Sequence, residues 1–323
     1  MHKLTIAVLT YNRANYLKKM LDSILLQTYR NFFVIIYDNC SEDNTSDTVK
    51  PFLSDSRFSY HRHITSIGRE NGNYALKNCT TDYLLIVHDD DIMHPDMVKE
   101  EIAILDSDEN VSIVSTNINH INTNDEIIKT SVLSSMIKNK DLIINSRNYI
   151  MILTKIGNII MCPTVMFRMQ IIKDNHLFFK SFIGGPNDVF MWLELNQLNN
   201  KFYCINKALY NYRIHNTQES QQSLLLIPLL KKPVYELLLA HNYSKRVINL
   251  WLRYSDICIL SEINKLKDKK NAFNTIKKYV LFLNNKDMFL FAGLYYLFYM
   301  PLFIQNIVFL PLRIFKRIFI QLK

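Results

Sequence analysis

The 323-residue chain lacks the features of several common protein classes. Six glycines and eight prolines are too few for a low-complexity or repeat protein. The five cysteines are odd in number, widely spaced and form no C-x-x-C pair, so neither a disulfide framework nor a zinc site is expected, and a reducing compartment fits best. The N-terminal apolar run has only six residues, too short for a secretory signal peptide, which predicts a chain that begins and stays in the cytosol.

Two phosphate-binding sequence patterns are missing as well. The chain has no G-x-G-x-x-G, which would indicate a Rossmann dinucleotide site, and no G-x-x-x-x-G-K-[ST], which would indicate a phosphate loop. Any phosphates that it binds are therefore expected to be neutralised chiefly by a metal ion.

Apolar residues, in contrast, make up 49% of the chain and follow a regular alternation in its first two-thirds. Short apolar runs typical of buried strands alternate with segments of helical spacing. The predicted strands are 4–9, 32–37, 83–87 and 111–114, and the predicted helices include 14–27, with Asn15 as its cap, and 96–105. This order predicts an α/β fold with a mostly parallel sheet and helices on both faces, whose ligands bind beyond the carboxyl ends of the strands.

Polar side chains collect where three of these strands end. They are Thr10, Tyr11, Asn12 and Arg13 after the first strand, Asp38 and Asn39 after the second, and Asp89, Asp90 and Asp91 after the third. Because the carboxyl ends of parallel strands lie at one edge of a sheet, we expect these groups to share one crevice. Stability alone does not explain such a concentration of hydrogen-bonding groups and carboxylates.

The three consecutive aspartates are the most informative of these groups. Desolvating even one unpaired carboxylate costs several kcal/mol, so three in a row must face water or bind a cation. Mg²⁺ and Mn²⁺ prefer oxygen ligands and often bind through one or two carboxylates together with substrate phosphates. A solvated turn that caps the next helix is the alternative, but it explains one acid rather than three.

Taken together, the motifs of the chain resemble those of family 2 glycosyltransferases with the GT-A fold. They are Thr10–Arg13 (TYNR), Leu25–Tyr29 (LLQTY), Asp38–Thr45 (DNCSEDNT), His88–Asp91 (HDDD), Asp188 four residues before Trp192, and Tyr212–His215 (YRIH). The resemblance covers about residues 3–216. It implies an inverting transferase that takes a sugar from a nucleotide-diphosphate donor, such as a UDP-sugar, with Mn²⁺ or Mg²⁺ at the acidic motif.

The same resemblance assigns roles to individual residues. The donor-binding set is Thr10, Tyr11, Asn12, Arg13, Asp38, Asn73, Asp89, Arg213 and His215. Within it, Asp38 is expected on the base, Asp89 toward the ribose, and Asn73 in a loop before the third predicted strand. Asp90 is the expected direct metal ligand. Asp91 is either a second ligand or a support of the turn, since His88 stands where relatives often have the first aspartate of the motif.

The resemblance also places a catalytic base and two basic groups on the far side of the crevice. Asp188 matches the aspartate of a Glu-Asp motif in which Asn187 replaces the glutamate, and it is expected to deprotonate the acceptor hydroxyl. Its alternative role is to cap the following helix. Arg213 and His215 follow a predicted strand at 208–212, where positive charge would stabilise the leaving diphosphate.

The excess positive charge of the chain, +9 overall, lies entirely in its last third. Residues 1–215 carry 22 Lys and Arg against 23 Asp and Glu, whereas residues 216–323 carry 16 against 6. A basic region suits nucleic acid or an anionic membrane surface. Since residues 288–312 form a 25-residue run without a charged side chain, the membrane is favoured and nucleic acid is not expected as a partner.

The C-terminal run is interrupted by Pro301 and Pro311 and leads into a basic amphipathic segment. In-plane or re-entrant attachment to the cytoplasmic face of the membrane is therefore favoured over a clean span, and packing onto the catalytic domain or a partner is the remaining alternative. The predicted organisation is a GT-A domain at 1–216, a basic helical extension at 217–287 and a membrane-associating tail at 288–323. Attachment to the cytoplasmic face of the membrane suggests a glycan acceptor that is lipid-linked or an intermediate of a surface polysaccharide.

Two other functions are compatible with parts of this pattern. A nucleotidyltransferase also joins a nucleotide fold to a metal, but it normally needs a basic glycine-rich loop near the first strand, which Thr10–Arg13 is not. A non-catalytic membrane scaffold would not need both the acidic motif and Asp188.

Overall fold

The computed structural model describes residues 3–215 and 226–265. Within these ranges the chain forms two compact units. The first unit comprises 3–149, 158–181 and 191–215, and the second comprises 150–157, 182–190 and 226–265. All described strands belong to the first unit.

The first unit is built on a ten-stranded sheet. The strands are β1 (Leu4–Thr10), β2 (Phe32–Asp38), β3 (Phe58–Arg62), β4 (Tyr83–His88), β5 (Ile92–Met93), β6 (Val111–Ile121), β7 (Ile127–Lys129), β8 (Leu142–Asn145), β9 (Met166–Arg168) and β10 (Lys201–Arg213). Their order in space is β3-β2-β1-β4-β9-β6-β10-β5, with β7 paired to β6 and β8 paired to β10.

The sheet is mixed, which corrects the prediction of a mostly parallel sheet. Strands β3, β2, β1 and β4 run parallel, and β10 runs parallel to β6. However, β9 lies antiparallel to both β4 and β6, and β5, β7 and β8 each pair antiparallel with a longer strand. These four strands have only two to four residues, too few to produce the apolar runs on which the sequence prediction depends.

The described helices are α1 (Ala14–Leu25), α2 (Thr45–Val49), α3 (Glu70–Asn78), α4 (Met97–Ser107), α5 (Tyr149–Ile156), α6 (Met169–Asp174), α7 (Asn187–Leu195), α8 (Leu226–Ala240) and α9 (Lys245–Lys265). The predicted apolar face of α1 is confirmed for Leu17, Leu21 and Ile24, which are fully buried, whereas Leu25 is partly buried. None of the helices in the described ranges is long and apolar enough to cross a membrane.

The core of the first unit follows from the two-residue repeat of its strands. Alternate residues of β1 (Leu4, Ile6, Val8) and β4 (Tyr83, Leu85, Val87) join one buried cluster, together with apolar residues of α1 and α4. Full burial of each such side chain stabilises the fold by about 1.5–3 kcal/mol.

The register of the central strands sets the position of the polar strand ends. Thr10 at the end of β1 pairs with Asp38 at the end of β2, and Leu9 pairs with His88 at the end of β4. Since these strands are parallel, the loops that follow them begin at the same edge of the sheet.

In the second unit, α8 and α9 pack against each other. Leu230, Val234 and Leu238 of α8 and Trp251 of α9 are fully buried, and the Trp251 indole N–H donates to the Lys231 carbonyl at 3.1 Å. The predicted boundary at 216 and the whole tail at 288–323 lie outside the described residues, so the predicted organisation stays a prediction.

Candidate active site

The loop after β1 is joined to the loop after β2 by side chain–backbone hydrogen bonds. Asn12 has a left-handed backbone, φ 52°, which asparagine tolerates better than most residues. Its backbone N–H donates to Ser41 Oγ at 2.9 Å, and its side-chain carbonyl accepts the Glu42 N–H at 2.7 Å. Asn12 therefore holds the two loops together in the first unit.

Asp43, also in the loop after β2, caps the start of α1. Its Oδ2 accepts the Ala14 backbone N–H at 3.0 Å, and its Oδ1 accepts the Thr45 backbone N–H at 3.0 Å. Burial opposes ionisation, but the hydrogen bonds from Thr45 and Ala14 outweigh it and lower the pKa of Asp43. The predicted cap, Asn15, is wrong because the helix begins at Ala14 and its N-cap position is Arg13.

Asp38 is fully buried at the end of β2, where a fixed set of donors surrounds it. Its Oδ1 accepts the Ser41 N–H at 2.8 Å, and its Oδ2 accepts the Tyr60 hydroxyl and lies 3.6 Å from Arg62 Nε. Burial and the Asp38 carboxylate raise the pKa of Tyr60, so the phenol stays protonated and donates. Tyr60 and Arg62 were missed from the sequence because they lie on β3, which has no continuous apolar run.

Asp89 and Asp90 share one guanidinium. Arg13 Nη1 donates to Asp89 Oδ1 at 3.0 Å and to Asp90 Oδ2 at 2.9 Å. The Tyr11 N–H donates to Asp89 Oδ2 at 3.1 Å, and His215 Nε2 lies 2.9 Å from Asp90 Oδ2. The structure thus brings Tyr11, Arg13 and His215 to the acidic motif, with His215 beside Asp90 rather than across the crevice from it.

Thr10, the last residue of β1, is buried, and its hydroxyl lies beside Asp89. Thr10 Oγ1 has no hydrogen-bond partner among the described residues. Thr10 therefore faces the acidic motif from within the sheet, while Tyr11 is half exposed.

The three carboxyl groups differ in their affinity for protons. Burial and the neighbouring Asp90 charge raise the pKa of Asp89 to about 6. For Asp90, burial is outweighed by its interactions with His88, Arg13 and His215, and its pKa is lowered. Burial and the Asp90 charge raise the pKa of Asp91 well above its ordinary value. Asp90 is thus the most strongly ionised of the three at neutral pH.

A group suited to a metal ion lies at this motif. One ligand atom each of His88, Asp90 and Asp91 lies within 4.8 Å of the others. Asp91 Oδ1 accepts the Arg213 N–H at 2.8 Å, whereas its buried Oδ2 has no hydrogen-bond partner among the described residues. An imidazole with two carboxylates suits Mn²⁺, so the residues present fit a divalent cation. His88 was not predicted as a ligand from the sequence, although its place in the motif was the available signal.

Arg213 lies behind the acidic motif and is fully buried. Its Nε donates to the Asp90 carbonyl at 2.6 Å and its Nη1 to the Asn122 carbonyl at 2.7 Å, while Nη2 pairs with Asp125 at 2.6 Å. The guanidinium also lies 4.7 Å from the centre of the Tyr16 ring. Contact of Arg213 with a diphosphate stays a prediction that requires a rearrangement of these interactions.

Asn73 lies in α3 rather than in a loop, which corrects the sequence prediction. Its side-chain amide donates to the Phe179 carbonyl at 2.8 Å and accepts the Phe179 N–H at 2.7 Å. Asn73 therefore fixes the chain segment around Phe179, and its part in donor binding stays a prediction.

Asp188 lies in the first turn of α7 and belongs to the second unit. Its Oδ1 accepts the backbone N–H of the next residue, Val189, at 2.7 Å, one of the N–H groups that have no partner within a helix at its start. Its role as catalytic base stays a prediction.

Similarity to known proteins identifies the family. The sequence profile of glycosyl transferase family 2 matches residues 5–174. An uncharacterized glycosyltransferase of Rickettsia typhi is 31% identical over 116 residues, 34% of each chain. The poly(ribitol-phosphate) β-N-acetylglucosaminyltransferase TarS of Staphylococcus aureus is 23% identical over 232 residues, 71% of this chain and 38% of TarS. The chain thus spans about a third of the length of these curated relatives.

Solved structures agree on the fold. The crystal structure of S. aureus TarS residues 1–349 superposes with a TM-score of 0.60 at 17% identity, covering 88% of this chain and 77% of that one. The mannosyltransferase PcManGT of Pyrobaculum calidifontis, in complex with GDP-Man and Mn²⁺, has a TM-score of 0.57 at 16% identity, covering 93% and 81%. With its mixed α/β sheet of the GT-A type and a profile match over more than half of its length, the chain belongs to glycosyl transferase family 2.

Proposed function

We propose that the chain is an inverting, metal-dependent glycosyltransferase that moves a sugar from a UDP-sugar to a hydroxyl group of a glycan acceptor. The observation that carries this proposal is the convergence of three strand ends on one acidic motif. There, Arg13 and His215 contact Asp90, and His88 and Asp91 complete a group suited to a divalent cation. Family membership supports the reaction class.

The donor nucleoside binds, in this proposal, at the ends of β1 and β2. A carboxylate accepts hydrogen bonds from the N–H groups of a base or the hydroxyls of a ribose, the roles proposed for Asp38 and Asp89. Thr10 and Asn12 line the same edge. A UDP-sugar is favoured because TarS, similar over 71% of this chain, has been solved with UDP and with UDP-GlcNAc.

His88, Asp90 and Asp91 would hold Mn²⁺ or Mg²⁺. When bound, the cation supplies positive charge that neutralises the donor diphosphate as it leaves. The protein's own basic side chains support this role, since Arg13 and His215 already approach Asp90. Arg213 adds its charge from behind the motif.

The transfer itself needs a base at the acceptor. In the proposed reaction the acceptor oxygen attacks the anomeric carbon from the face opposite the diphosphate, and Asp188 takes the hydroxyl proton. A bond forms between that oxygen and the anomeric carbon, the bond from this carbon to the diphosphate breaks, and the nucleoside diphosphate leaves. The configuration at the anomeric carbon is therefore inverted.

The proposed acceptor is a lipid-linked glycan or an intermediate of a surface polysaccharide, used at the cytoplasmic face of the membrane. Two observations support it. The last third of the chain is basic and includes a long run without charges, which suits an anionic membrane surface. TarS, by its name, glycosylates poly(ribitol phosphate).

A thermal-shift screen tests the donor assignment. UDP-sugars at about a hundred times their dissociation constant, with Mn²⁺, should stabilise the protein by about 2.7 kcal/mol, and EDTA should abolish the effect. GDP-sugars serve as the matched comparison. The proposal fails if no nucleotide-sugar changes the melting temperature with Mn²⁺, or if Asp90→Ala leaves turnover of the stabilising donor unchanged.

A further inference from the structure

Arg213 contacts two of the three aspartates of the acidic motif, Asp91 through its backbone and Asp90 through its side chain. Its N–H donates to Asp91 Oδ1 at 2.8 Å, and its Nε donates to the Asp90 carbonyl at 2.6 Å. These two bonds fix the turn that follows β4. The position of Arg213 therefore decides where two of the candidate metal ligands lie.

A fully buried guanidinium needs a negative charge close by, because its desolvation is costly. Arg213 contacts both of these residues, through its backbone N–H at the Asp91 carboxylate and through its guanidinium at the Asp90 backbone carbonyl. Its ion pair, however, is formed with Asp125, whose Oδ1 is 2.6 Å from Nη2. Asp125 thus supplies a counter-charge that does not belong to the acidic motif.

Contacts that do not involve Arg213 also hold Asp125 in place. It lies in the turn between β6 and β7 with a left-handed backbone, φ 68°. Its N–H donates to the Asn122 carbonyl at 3.2 Å, and the Asn122 N–H donates to the Glu126 carbonyl at 2.9 Å, which closes the turn. Lys19 of α1 pairs with Asp125 Oδ2 at 2.5 Å. Partial burial opposes ionisation, but Lys19 and Arg213 outweigh it and lower the pKa of Asp125.

We propose that Asp125 is a positioning residue for the metal site: it binds the Arg213 guanidinium and so keeps this cation from pairing with the carboxylates of Asp90 and Asp91. The inference rests on the proposed function only in taking those carboxylates as metal ligands. Without the Asp125 charge, the buried guanidinium, whose Nε is bound to the Asp90 carbonyl, would be drawn toward the acids of the motif. It would then compete with a divalent cation for them.

Mn²⁺ binding by Asp125→Asn and Glu126→Gln tests this role. Both variants remove one negative charge from the same turn, but Glu126 contacts the Asn122 amide at 2.7 Å, and only the Asp125 carboxylate pairs with Arg213. Affinity for Mn²⁺, with and without UDP, is measured by titration calorimetry on full-length protein, at a temperature where each variant is folded. Asp125→Asn should weaken binding by about 10-fold or more, the usual effect of removing a group that supports metal ligands, and Glu126→Gln by less than about twofold.

Equal Mn²⁺ affinity in the two variants overturns the proposal, and so does a wild-type protein that binds no Mn²⁺ under either condition. If Asp125→Asn does not fold, Asp125→Glu is compared with Glu126→Asp. Asp125→Glu moves the carboxylate by one methylene and should lower the affinity for Mn²⁺ a few-fold, whereas Glu126→Asp should leave it unchanged. Sugar transfer is assayed separately, so a chain with the expected Mn²⁺ pattern and no transferase activity refutes the proposed function while leaving the role of Asp125 intact.

Discussion

Replacement of Glu101 by glutamine tests the most unusual buried acid outside the candidate site. Glu101 lies in the middle of α4 and is fully buried, and neither of its carboxylate oxygens has a hydrogen-bond partner among the described residues. Burial raises its pKa well above the ordinary value of 4.5. We therefore expect the folded protein to keep this proton at a pH where the unfolded chain has lost it.

The sign of the pH dependence follows from proton linkage. Above pH 4.5 the folded state binds one proton more than the unfolded state, so the free energy of unfolding falls as pH rises toward the folded pKa. The slope is about 1.4 kcal/mol per pH unit, which sets a ceiling of about 3.4 kcal/mol between pH 4.5 and pH 7. Glutamine has nearly the same shape and does not titrate. Glu101→Gln should thus be equal to wild type near pH 4.5 and more stable by up to about 3 kcal/mol at pH 7.

Urea unfolding at several pH values measures this effect. A Trp251→Phe background leaves Trp192, in the first unit, as the single indole reporter. Glu100→Gln is the matched control in the same helix, because Glu100 is partly exposed and pairs with Lys207 at 2.7 Å. It should change stability by less than about 1 kcal/mol with no added pH slope. If the stability difference between Glu101→Gln and the wild type is the same at pH 7 as at pH 4.5, Glu101 does not hold a proton in the folded protein.

Three further predictions concern the loops, the base and the tail. Asp43→Ala removes the acceptor of the Ala14 N–H and should lower stability by about 1 kcal/mol. Because the pKa of Asp43 is lowered in the folded state, this loss should be full above pH 4 and fade as pH falls, which thermal melts can follow. Asp188→Asn should reduce kcat by at least about 10²-fold and leave Mn²⁺–UDP affinity unchanged, as steady-state kinetics and calorimetry would show. Deletion of residues 288–323 should release the protein from membranes in flotation assays while donor binding persists, and a truncated protein still bound to membranes would contradict the tail assignment.

The long apolar strands of the fold were predictable from sequence, and so was the edge at which they end. Strands β1, β2 and β4 each have six or seven residues, most of them apolar, and the parallel register of β1 and β2 brings Thr10 beside Asp38. The short strands were not predictable. Their two to four residues form by pairing with longer strands that are remote in sequence, and local patterns do not report such pairing.

The members of the candidate site were predicted better than their contacts. Arg13, Asp89, Asp90 and His215 do lie together, because each follows a strand that ends at the same edge. The pairing of Arg213 with Asp125 could not be predicted, since it depends on a turn 88 residues away whose only local signals are asparagine and aspartate. Asn73 was placed in a loop by the family resemblance alone, whereas it lies in α3, where its neighbour Gly72 comes close to the Phe179 ring.

Titration of UDP into the wild-type protein and Asp90→Ala, each with Mn²⁺ or with EDTA, tests whether metal and nucleotide bind together at the acidic motif. Asp90 is the most strongly ionised acid of the motif and contacts both Arg13 and His215. The account predicts UDP binding that requires Mn²⁺ in the wild type and is weakened at least about 10-fold in Asp90→Ala. UDP that binds equally well in EDTA, or equally well to both proteins, would contradict a metal–nucleotide site at this edge of the sheet.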